Sequence, residues 1–314
     1  MDDDKTRQEL FKVGTHIEDY VIVGTLGHGG YAFVYQVIDP ATSSLYAMKI
    51  EPYRPNRRGL DHEIKILKFL NDDYFPKVIK DGKFNEYQYL VMNEFLPSIN
   101  DVRKAHNDAF DSVAAFHVSL EMLKIIGILH QKGLLHLDIK PSNFMMNLNE
   151  DVPIVLIDFG FAMPIKNANT NVSSNFVGTR RYASINCHKK RPLGRCDDLI
   201  SWFYVFWELL SKNLPWKDTK TKEEALKMKE DVIGDLSEYS KNLAKIYEYL
   251  INLQPTDEPD YGYVQFLMRS EMEKQNVTFE FDWLNFIQSE TQFIKMSSMK
   301  RNRKLSMQGE CDIC

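Results

Sequence analysis

Two charged side chains near the start of the chain are spaced so that they could form an ion pair. Lys49 lies in an alternating segment in which Leu45, Ala47 and Lys49 share one face. Glu63 lies inside the apolar stripe of a segment with helical period, residues 60–70, rather than opposite to that stripe. A carboxylate on the packing face of a helix is costly to bury without a partner. We therefore predict that Lys49 pairs with Glu63.

A glycine-rich segment, Gly27-His28-Gly29-Gly30-Tyr31-Ala32-Phe33-Val34, lies between two strand-like segments. Glycines let the main chain approach a phosphate group closely because they carry no Cβ. Two interpretations of this segment stay open: a phosphate-binding loop, and a plain glycine-rich hairpin turn.

The tripeptide Asp158-Phe159-Gly160 directly follows the apolar run Ile154–Ile157. A carboxylate at the end of a buried strand, followed by glycine, favours a turn that holds a metal ion. Mg²⁺ usually takes few protein oxygens and completes its shell with phosphate oxygens and waters. One Asp and one Asn would therefore suffice, and Asn143 lies fifteen residues before Asp158.

The most specific motif is His136-Leu137-Asp138-Ile139-Lys140-Pro141-Ser142-Asn143. It resembles the catalytic loop of protein kinases, H-R-D-x-K-P-x-N, in the form found in Ser/Thr kinases. The resemblance implies that Asp138 accepts and orients the proton of a substrate hydroxyl and that Lys140 neutralises the γ-phosphate of ATP. It also implies that Asn143 and Asp158 bind Mg²⁺. The fold expected is the bilobal α+β kinase fold, with a small β-rich N-lobe and a larger, mainly helical C-lobe.

The same resemblance assigns the nucleotide site. Lys49, held by Glu63, would contact the α- and β-phosphates, Met92 would be the gatekeeper, and Asn93–Phe95 would be the hinge that binds adenine through main-chain groups. Ala32 replaces the third glycine of the usual loop. The nucleotide-binding positions implied are Leu26, Gly27, Gly29, Gly30, Val34, Ala47, Lys49, Met92, Asn93, Glu94 and Phe95.

Further segments resemble the casein kinase 1 group. Pro97–Val102 is similar to the P-S-L-x-D-L that follows the hinge in that group, and Gly178–Asn186 is similar to its G-T-x-R-Y-A-S-x-N, which replaces the A-P-E of most kinases. His188–Arg191 and Gly194–Leu199 look most like the tau-tubulin kinase branch. The resemblance implies that Asp198 braces the catalytic loop. It further implies a substrate loop containing Thr179, Arg180 and Arg181, with Thr179 bonded near Asp138 and Lys140.

Basic side chains are concentrated around this substrate loop. Two interpretations stay open for them: solvation with helix-end pairing, and a pocket for acidic or already phosphorylated residues beside the target Ser/Thr. The residues concerned are Arg180, Arg181, Lys189, Lys190, Arg191 and Arg195.

Leu137 stands where most relatives carry the Arg that meets an activation-loop phosphate. One hypothesis is an enzyme that needs no phosphorylation of that loop. The alternative is a pseudokinase scaffold that binds ATP or partners without transferring phosphate. A third alternative, a small-molecule kinase, is disfavoured by Gly178–Asn186, which resembles a docking loop for protein substrates.

The composition is that of an ordinary globular protein, with 44% hydrophobic and 26% charged residues among 314 and a net charge of −5. The charge gives no reason to expect nucleic acid as a partner. Four cysteines favour a reducing compartment, and no leader segment is recognised at the N-terminus. Leu199–Leu210 is too short to cross a bilayer and predicts a buried helix. We expect a cytoplasmic monomer that acts on Ser/Thr of proteins, with the nucleus open as a second location.

Several regular elements are predicted to position these residues. Alternation predicts strands at Tyr20–Leu26, Phe33–Ile38, Leu45–Ile50 and Tyr87–Met92, and a short buried strand at Pro153–Ile157. Helical period predicts helices at Leu60–Leu70, Ser112–Lys132 (ended by Gly133), Asp198–Leu210 and twice within Lys222–Gln254.

The domain boundaries follow from the same pattern: an N-terminal extension over 1–16, the N-lobe over 17–94, the C-lobe over 95–293 and a basic polar tail over 294–314. Lys300–Ser306 in the tail could be an autophosphorylation site, a nuclear signal or a solvated segment. The terminal Cys311-Asp312-Ile313-Cys314 fits neither a prenylation box nor a zinc site well.

Overall fold

A computed structural model of the chain describes residues 10–29, 32–54, 59–108, 110–168, 178–232, 236 and 240–296. Gly30 and the basic tail segment Lys300–Ser306, with Cys311 and Cys314, lie outside the described residues. The chain forms two compact units. The first contains the residues up to Phe95 together with Asp158–Gly160, and the second contains Leu96–Ile157 and the residues from Phe161 onward.

The first unit is built on a six-stranded antiparallel sheet. Its strands are β1 (His16–Ile17), β2 (Tyr20–His28), β3 (Phe33–Asp39), β4 (Ser44–Pro52), β5 (Val78–Phe84) and β6 (Tyr87–Asn93). Their order in the sheet is β1-β2-β3-β4-β6-β5. One face of the sheet is apolar because alternate residues of neighbouring strands meet there, among them Tyr35, Val37, Met48, Ile50 and Val91.

Helix α1 (Leu60–Leu70) is the helix of the first unit and has the bounds predicted for it. It ends at Asn71, whose left-handed backbone (φ 36°) caps the helix through a main-chain bond to Leu67. Glu63 lies on its buried side together with Leu60 and Ile64. The predicted placement of this carboxylate on the packing face is confirmed.

The second unit is mainly helical. Its helices are α2 (Ile99–Ala105), α3 (Ser112–Gln131), α4 (Ile165–Ala168), α5 (Ile185–His188), α6 (Arg195–Ser211), α7 (Lys222–Asp231), α8 (Lys241–Asn252), α9 (Tyr261–Lys274) and α10 (283–296). Two small antiparallel sheets pair β7 (Leu134–Leu135) with β10 (Met163–Pro164) and β8 (Phe144–Asn149) with β9 (Val152–Leu156). Short 3₁₀ turns lie at Pro141–Asn143 and Phe159–Phe161.

Helices α3 and α6 form the core of the second unit. They are joined by a hydrogen bond from Trp202 Nε1 to Ser119 O at 2.8 Å, and Phe116 packs edge-on against Phe206. By length and composition α3 is the one described helix that could cross a membrane, but most of its apolar window is buried inside the unit. Such burial is typical of the core helix of a folded domain. The sequence analysis weighed only Leu199–Leu210 for this role and overlooked α3.

Several described elements were not predicted from the sequence, among them strands β5 and β8 and helices α2, α9 and α10. Strand β5 was not predicted because its sequence is polar, and it lies at the edge of the sheet where one side is solvated. Helix α6 begins three residues before Asp198, at Arg195, because the Asp197 carboxylate accepts the Gly194 N–H at 2.7 Å and caps the first turn. Helix α10 continues to residue 296, inside the range assigned to the tail.

Candidate active site

The Lys49 amine lies between two carboxylates of the first unit. Its Nζ is 2.6 Å from Glu63 Oε2 and 3.0 Å from Asp158 Oδ1, so the predicted pairing with Glu63 is confirmed. Burial alone would lower the pKa of Lys49, but the charges of Glu63 and Asp158 outweigh it and hold that pKa above its usual value. The amine is therefore a fixed positive charge whose position is set by both carboxylates.

The turn at Asp158 is held by its neighbours in the first unit. Phe159 is fully buried and packs edge-on against Phe75, with ring centroids 5.6 Å apart. The Phe159 N–H also donates to Glu63 Oε1 at 3.3 Å. Asp158 has a left-handed backbone (φ 66°), which Asp tolerates better than most residues, and its side chain is 36% exposed. A partly exposed carboxylate beside a fixed cation can still accept a further ligand.

The described residues of the glycine-rich segment end β2 and begin β3, with Gly27 opposite Val34 and His28 opposite Phe33. A Cβ built on Gly27 would meet no atom within 4 Å, and one on Gly29 would only reach Ala32 O at 4.0 Å. Packing within the described chain therefore does not require glycine at either position. A phosphate-binding loop needs such unfilled space beside its glycines, because the phosphate group of the ligand fits there.

The residues predicted to hold a nucleotide share one face of the sheet. Residues directly opposite each other in an antiparallel pair point to the same side, and the register pairs Lys49 with Val34 and Ala47 with Met92. The next segment along the chain, Asn93–Phe95, is fixed by its side chains. Asn93 Oδ1 accepts the Lys77 N–H at 3.0 Å, and Glu94 Oε1 accepts from Gln36 Nε2 at 2.7 Å.

In the second unit, Asp138 receives hydrogen bonds on both carboxylate oxygens. Thr179 Oγ1 donates to its Oδ1 at 2.9 Å, and Lys140 Nζ donates to its Oδ2 at 2.5 Å. Asn143 Nδ2 donates to the main-chain oxygen of Asp138 at 2.9 Å, which leaves Asn143 Oδ1 as the side-chain oxygen that could bind a cation. The predicted bond between Thr179 and Asp138 is confirmed. A buried carboxylate, a cation and an amide oxygen thus lie within one short loop.

Asp198 on α6 holds the main chain of this loop. Its Oδ2 accepts the His136 N–H and its Oδ1 the Leu137 N–H, both at 2.8 Å, and His130 Nε2 lies 3.0 Å from Oδ2. Burial alone would raise the pKa of Asp198, but these bonds and the nearby histidines outweigh it and hold that pKa below its usual value. The predicted bracing of the loop by Asp198 is confirmed.

Comparison with known proteins agrees with this geometry. The model of the protein kinase domain matches residues 20–275, which is most of the chain. The chain belongs to the protein kinase family. The fold predicted from the motifs, with a β-rich N-terminal part and a helical C-terminal part, is confirmed.

Two curated relatives are informative for this kinase. A "Probable serine/threonine-protein kinase" of Dictyostelium discoideum is 31% identical over 273 residues, which cover 82% of the chain and 54% of that relative. A "Probable casein kinase I homolog" of Encephalitozoon cuniculi is 30% identical over 271 residues, covering 80% of the chain and 84% of the relative. The chain therefore spans about half the length of the Dictyostelium relative. The kinase has Ser/Thr kinase and casein kinase I homologues, and family membership implies the use of ATP.

The segment predicted to be the substrate loop is bound by Glu208 of α6, which is fully buried. Tyr182 Oη donates to Glu208 Oε2 at 2.5 Å, and the Arg181 guanidinium pairs with Oε1. Two interpretations were left open for Arg181, solvation with helix-end pairing and a basic pocket, and in the structure its charge is engaged in this ion pair. A carboxylate without a partner could not be buried at this position.

The role of Glu208 was not predicted from the sequence, although a signal for it was present. Glu208 interrupts an otherwise apolar helix, as Glu63 does in α1, and the rule that a buried carboxylate needs a partner applies equally to both. Tyr182 and Arg181 lie 26 and 27 residues away from Glu208 along the chain. No local pattern connects them, so the contact could be known only from the fold.

Proposed function

We propose that the protein is an ATP-dependent Ser/Thr protein kinase that transfers the γ-phosphoryl group to hydroxyl groups of protein substrates. The observation that carries this proposal is the arrangement around Asp138, whose carboxylate is bonded by Thr179 and Lys140 and whose main-chain oxygen fixes Asn143. A general base, a phosphate-neutralising cation and a metal-binding amide are the parts that phosphoryl transfer requires.

The side chains of this chain would divide the work in the following way. Asp138 accepts a hydrogen bond from the substrate hydroxyl and orients the attacking oxygen. Lys140 offsets negative charge that develops on the transferred group, and Lys49, fixed by Glu63, holds the nucleotide phosphates. The ordered positions of these groups matter more than covalent chemistry, because phosphoryl transfer is catalysed mainly by alignment and charge neutralisation.

Asn143 in the second unit and Asp158 in the first would each offer an oxygen to Mg²⁺, which would neutralise charge on the nucleotide phosphates. Each residue fits this ion by its chemistry, since Asn143 offers an amide oxygen and Asp158 a partly exposed carboxylate. In the described part of the chain no group of three or more His, Cys, Asp or Glu side chains could hold a metal. A Mg²⁺ ion that is shared with nucleotide phosphates does not need such a group.

The proposal is tested by incubating the protein with radiolabelled ATP, Mg²⁺ and casein, beside an Asp158→Ala variant of equal folded content. We expect label on casein with the native protein and a loss of more than about 100-fold with the variant. Equal and negligible labelling by both proteins, with nucleotide still bound, would instead indicate a pseudokinase scaffold. Phosphoamino-acid analysis of the labelled casein should yield phosphoserine and phosphothreonine.

For the substrates, we propose a preference for acidic or already phosphorylated residues beside the target hydroxyl. Of the basic residues near the substrate loop, Lys190 and Arg191 are exposed, whereas Arg181 pairs with Glu208 and Lys189 with Glu230. An exposed cation pair remains able to bind a phosphate. A peptide array with acidic, phosphorylated and neutral flanks tests the preference, and equal labelling of all three sets would overturn it.

Within the kinase family, we place the chain in the casein kinase 1 group, closest to the tau-tubulin kinase branch. Gly178–Asn186, which resembles a segment of the casein kinase 1 group, and Gly194–Leu199, which resembles a segment of the tau-tubulin kinase branch, support this placement. We further propose a monomer located in the cytoplasm, with the nucleus as a second location. Imaging of the tagged protein and light scattering of the purified protein test these two proposals.

A further inference from the structure

Lys229 on α7 is a buried cation for which the reaction proposed above has no use. Its side chain is fully buried, although it lies on a short helix whose neighbouring residues Lys227, Met228 and Glu230 are exposed. Within the described residues, no carboxylate forms an ion pair with it. A lysine in such a place needs other partners, because burial of an uncompensated ammonium group is strongly unfavourable.

The partners of Lys229 lie in the substrate loop and in the helix that follows it. Nζ donates to Arg180 O at 2.9 Å and to Ala183 O at 2.7 Å, and it lies 3.3 Å from His188 Nε2. The two carbonyl oxygens thus take two of the three N–H donors of the ammonium group. The rings of Tyr204 and Trp216 cover the amine at 4.8 and 5.1 Å, where a cation is stabilised by their faces.

These bonds fix the main chain on both sides of the residues that Glu208 holds. Lys229 binds the carbonyl oxygens of Arg180 and Ala183, and Trp216 Nε1 donates to the carbonyl oxygen of Arg181 at 2.7 Å. The side chains of Arg181 and Tyr182 are thus bound by Glu208 of α6. The carbonyl groups of the same segment are bound by Lys229 of α7 and by Trp216. The segment from Arg180 to Ala183 follows directly after Thr179, which is bonded to Asp138.

We infer that Lys229 is a positioning residue for the substrate loop, which it holds in the conformation that receives a polypeptide beside Asp138. This inference rests on the proposed kinase function. Lys229 is not among the residues proposed to hold the nucleotide phosphates or to orient the substrate hydroxyl. Its effect should therefore fall on the peptide substrate, and the use of ATP should be spared.

The test is the substitution Lys229→Met, which keeps the length of the side chain and removes its three donors. We expect the KM for a peptide substrate to rise about tenfold or more, because two buried carbonyl groups lose their partner and the loop shifts. The KM for ATP should stay within experimental error, since Lys49 and Asp158 belong to the other unit. The matched control is Lys227→Met on the exposed side of the same helix, which should leave both constants unchanged.

A pH profile separates positioning from simple loss of packing. Burial lowers the pKa of Lys229 to about 7, and the amine loses one of its three donors when it deprotonates. The peptide KM of the native enzyme should therefore rise above about pH 7, whereas that of Lys229→Met should lack this step. The other titratable or charged groups near the amine are Arg180, Cys187, His188, Tyr204 and Tyr247, and all are present in the variant.

Hydrogen exchange of the amides from 180 to 188 provides a readout that does not need catalysis. We expect faster exchange there in Lys229→Met than in Lys227→Met. If the native protein transfers no phosphate, the proposed function fails while this readout still tests the positioning role. If Lys229→Met does not fold, Lys229→Gln, which keeps two donors, replaces it. Unchanged peptide KM together with unchanged exchange in the folded variant would overturn the inference.

Discussion

The Asp198 carboxylate accepts the main-chain N–H of Leu137 at 2.8 Å, so a residue without a chemical role fixes the loop that carries Asp138. The same carboxylate accepts the N–H of His136 and contacts His130. The two main-chain N–H groups donate to the carboxylate, and His130 faces it with a ring nitrogen. Both side-chain oxygens of residue 198 must therefore accept hydrogen bonds, and an N–H donor in place of either oxygen would face a main-chain N–H.

Asp198→Asn should therefore be harmful although it preserves shape. The new amide group would direct N–H donors at the main-chain N–H of either His136 or Leu137. We expect a loss of about 3 kcal/mol in the free energy of unfolding and a fall in kcat of about 100-fold, because the loop moves. Urea unfolding and steady-state kinetics measure the two effects. Native kcat in a folded variant would contradict the bracing role.

Removal of the Lys49 amine and removal of the Glu63 charge should reduce activity to different extents. Lys49→Met removes the charge that Glu63 and Asp158 position, and we expect kcat/KM to fall about 100-fold. Glu63→Gln keeps an acceptor for the amine and removes only the charge, so a smaller loss of about tenfold is expected. Lys65→Met, on the exposed side of α1, is the control. Equal losses for Lys49→Met and the control would refute the assignment.

Gly178 lies where the backbone of the substrate loop passes the catalytic loop. It has φ +84°, and a Cβ there would lie 2.7 Å from Leu137 O and 3.4 Å from Asp138 Oδ1. Gly178→Ala should reduce kcat about 100-fold, because the main chain beside Asp138 must shift. Gly14 offers a matched control, since it has φ +87° and a Cβ there would meet nothing within 4 Å.

Gly14→Ala tests the backbone strain alone. We expect it to cost about 1 to 2 kcal/mol of stability and to leave kcat unchanged. Thermal unfolding and kinetics on both variants separate strain from steric contact. If Gly14→Ala lowered kcat as much as Gly178→Ala does, the close approach at Leu137 would not be the cause.

Leu137 is buried in an apolar cluster with Leu135, Ala183, Cys187 and Leu193. The side chain of Leu137 thus packs the catalytic loop against the segment that contains Ala183 and Cys187. This contact does not require a phosphate group. We predict that phosphatase treatment leaves the turnover of the purified enzyme unchanged, as measured by casein labelling before and after treatment. Loss of turnover after treatment would show that a phosphate is required.

The same cluster predicts the effect of truncation. Leu137→Ala leaves a cavity between the two segments and should cost about 3 kcal/mol in the free energy of unfolding. Leu148→Ala, at an exposed leucine, is the control and should have little effect. Similar losses in both variants, measured by urea unfolding, would contradict the burial argument.

The contacts around Lys49 and Asp138 were predictable because these residues lie in short motifs with a fixed spacing. The ion pair of Lys49 followed from one buried carboxylate on a helix, and Asp138, Lys140 and Asn143 lie within six residues of each other. Residues that lie so close together in the sequence can be recognised as one motif without knowledge of the fold. Strand β5 was missed because a solvated edge strand keeps polar residues on both faces.

The network beneath the substrate loop was not predictable for a different reason. Lys229 lies 46 and 49 residues from the two carbonyl groups that it binds, and main-chain acceptors have no signature in the sequence. In a segment as polar as Lys222–Asp231, a buried lysine resembles its exposed neighbours. Only the fold distinguishes Lys229 from Lys227.

A further prediction concerns Asp197, which neighbours Asp198 on α6. Its carboxylate accepts from Ser184 Oγ at 2.6 Å and from the Gly194 N–H at 2.7 Å. Burial raises its pKa from the usual 3.8 to about 6. Between these two values the folded state holds a proton that the unfolded state has released. The free energy of unfolding should therefore fall as the pH rises through this window.

Asp197→Asn isolates this contribution because the amide cannot titrate between pH 4 and 7. In urea unfolding at several pH values, the native protein should lose stability relative to Asp197→Asn as the pH rises from 4 to 6, and the difference should be constant above about pH 7. Asp282→Asn, at a carboxylate outside this network, serves as the control for the method. A difference that grows in the opposite direction would mean that Asp197 is stabilised as the anion, so that its hydrogen bonds outweigh burial.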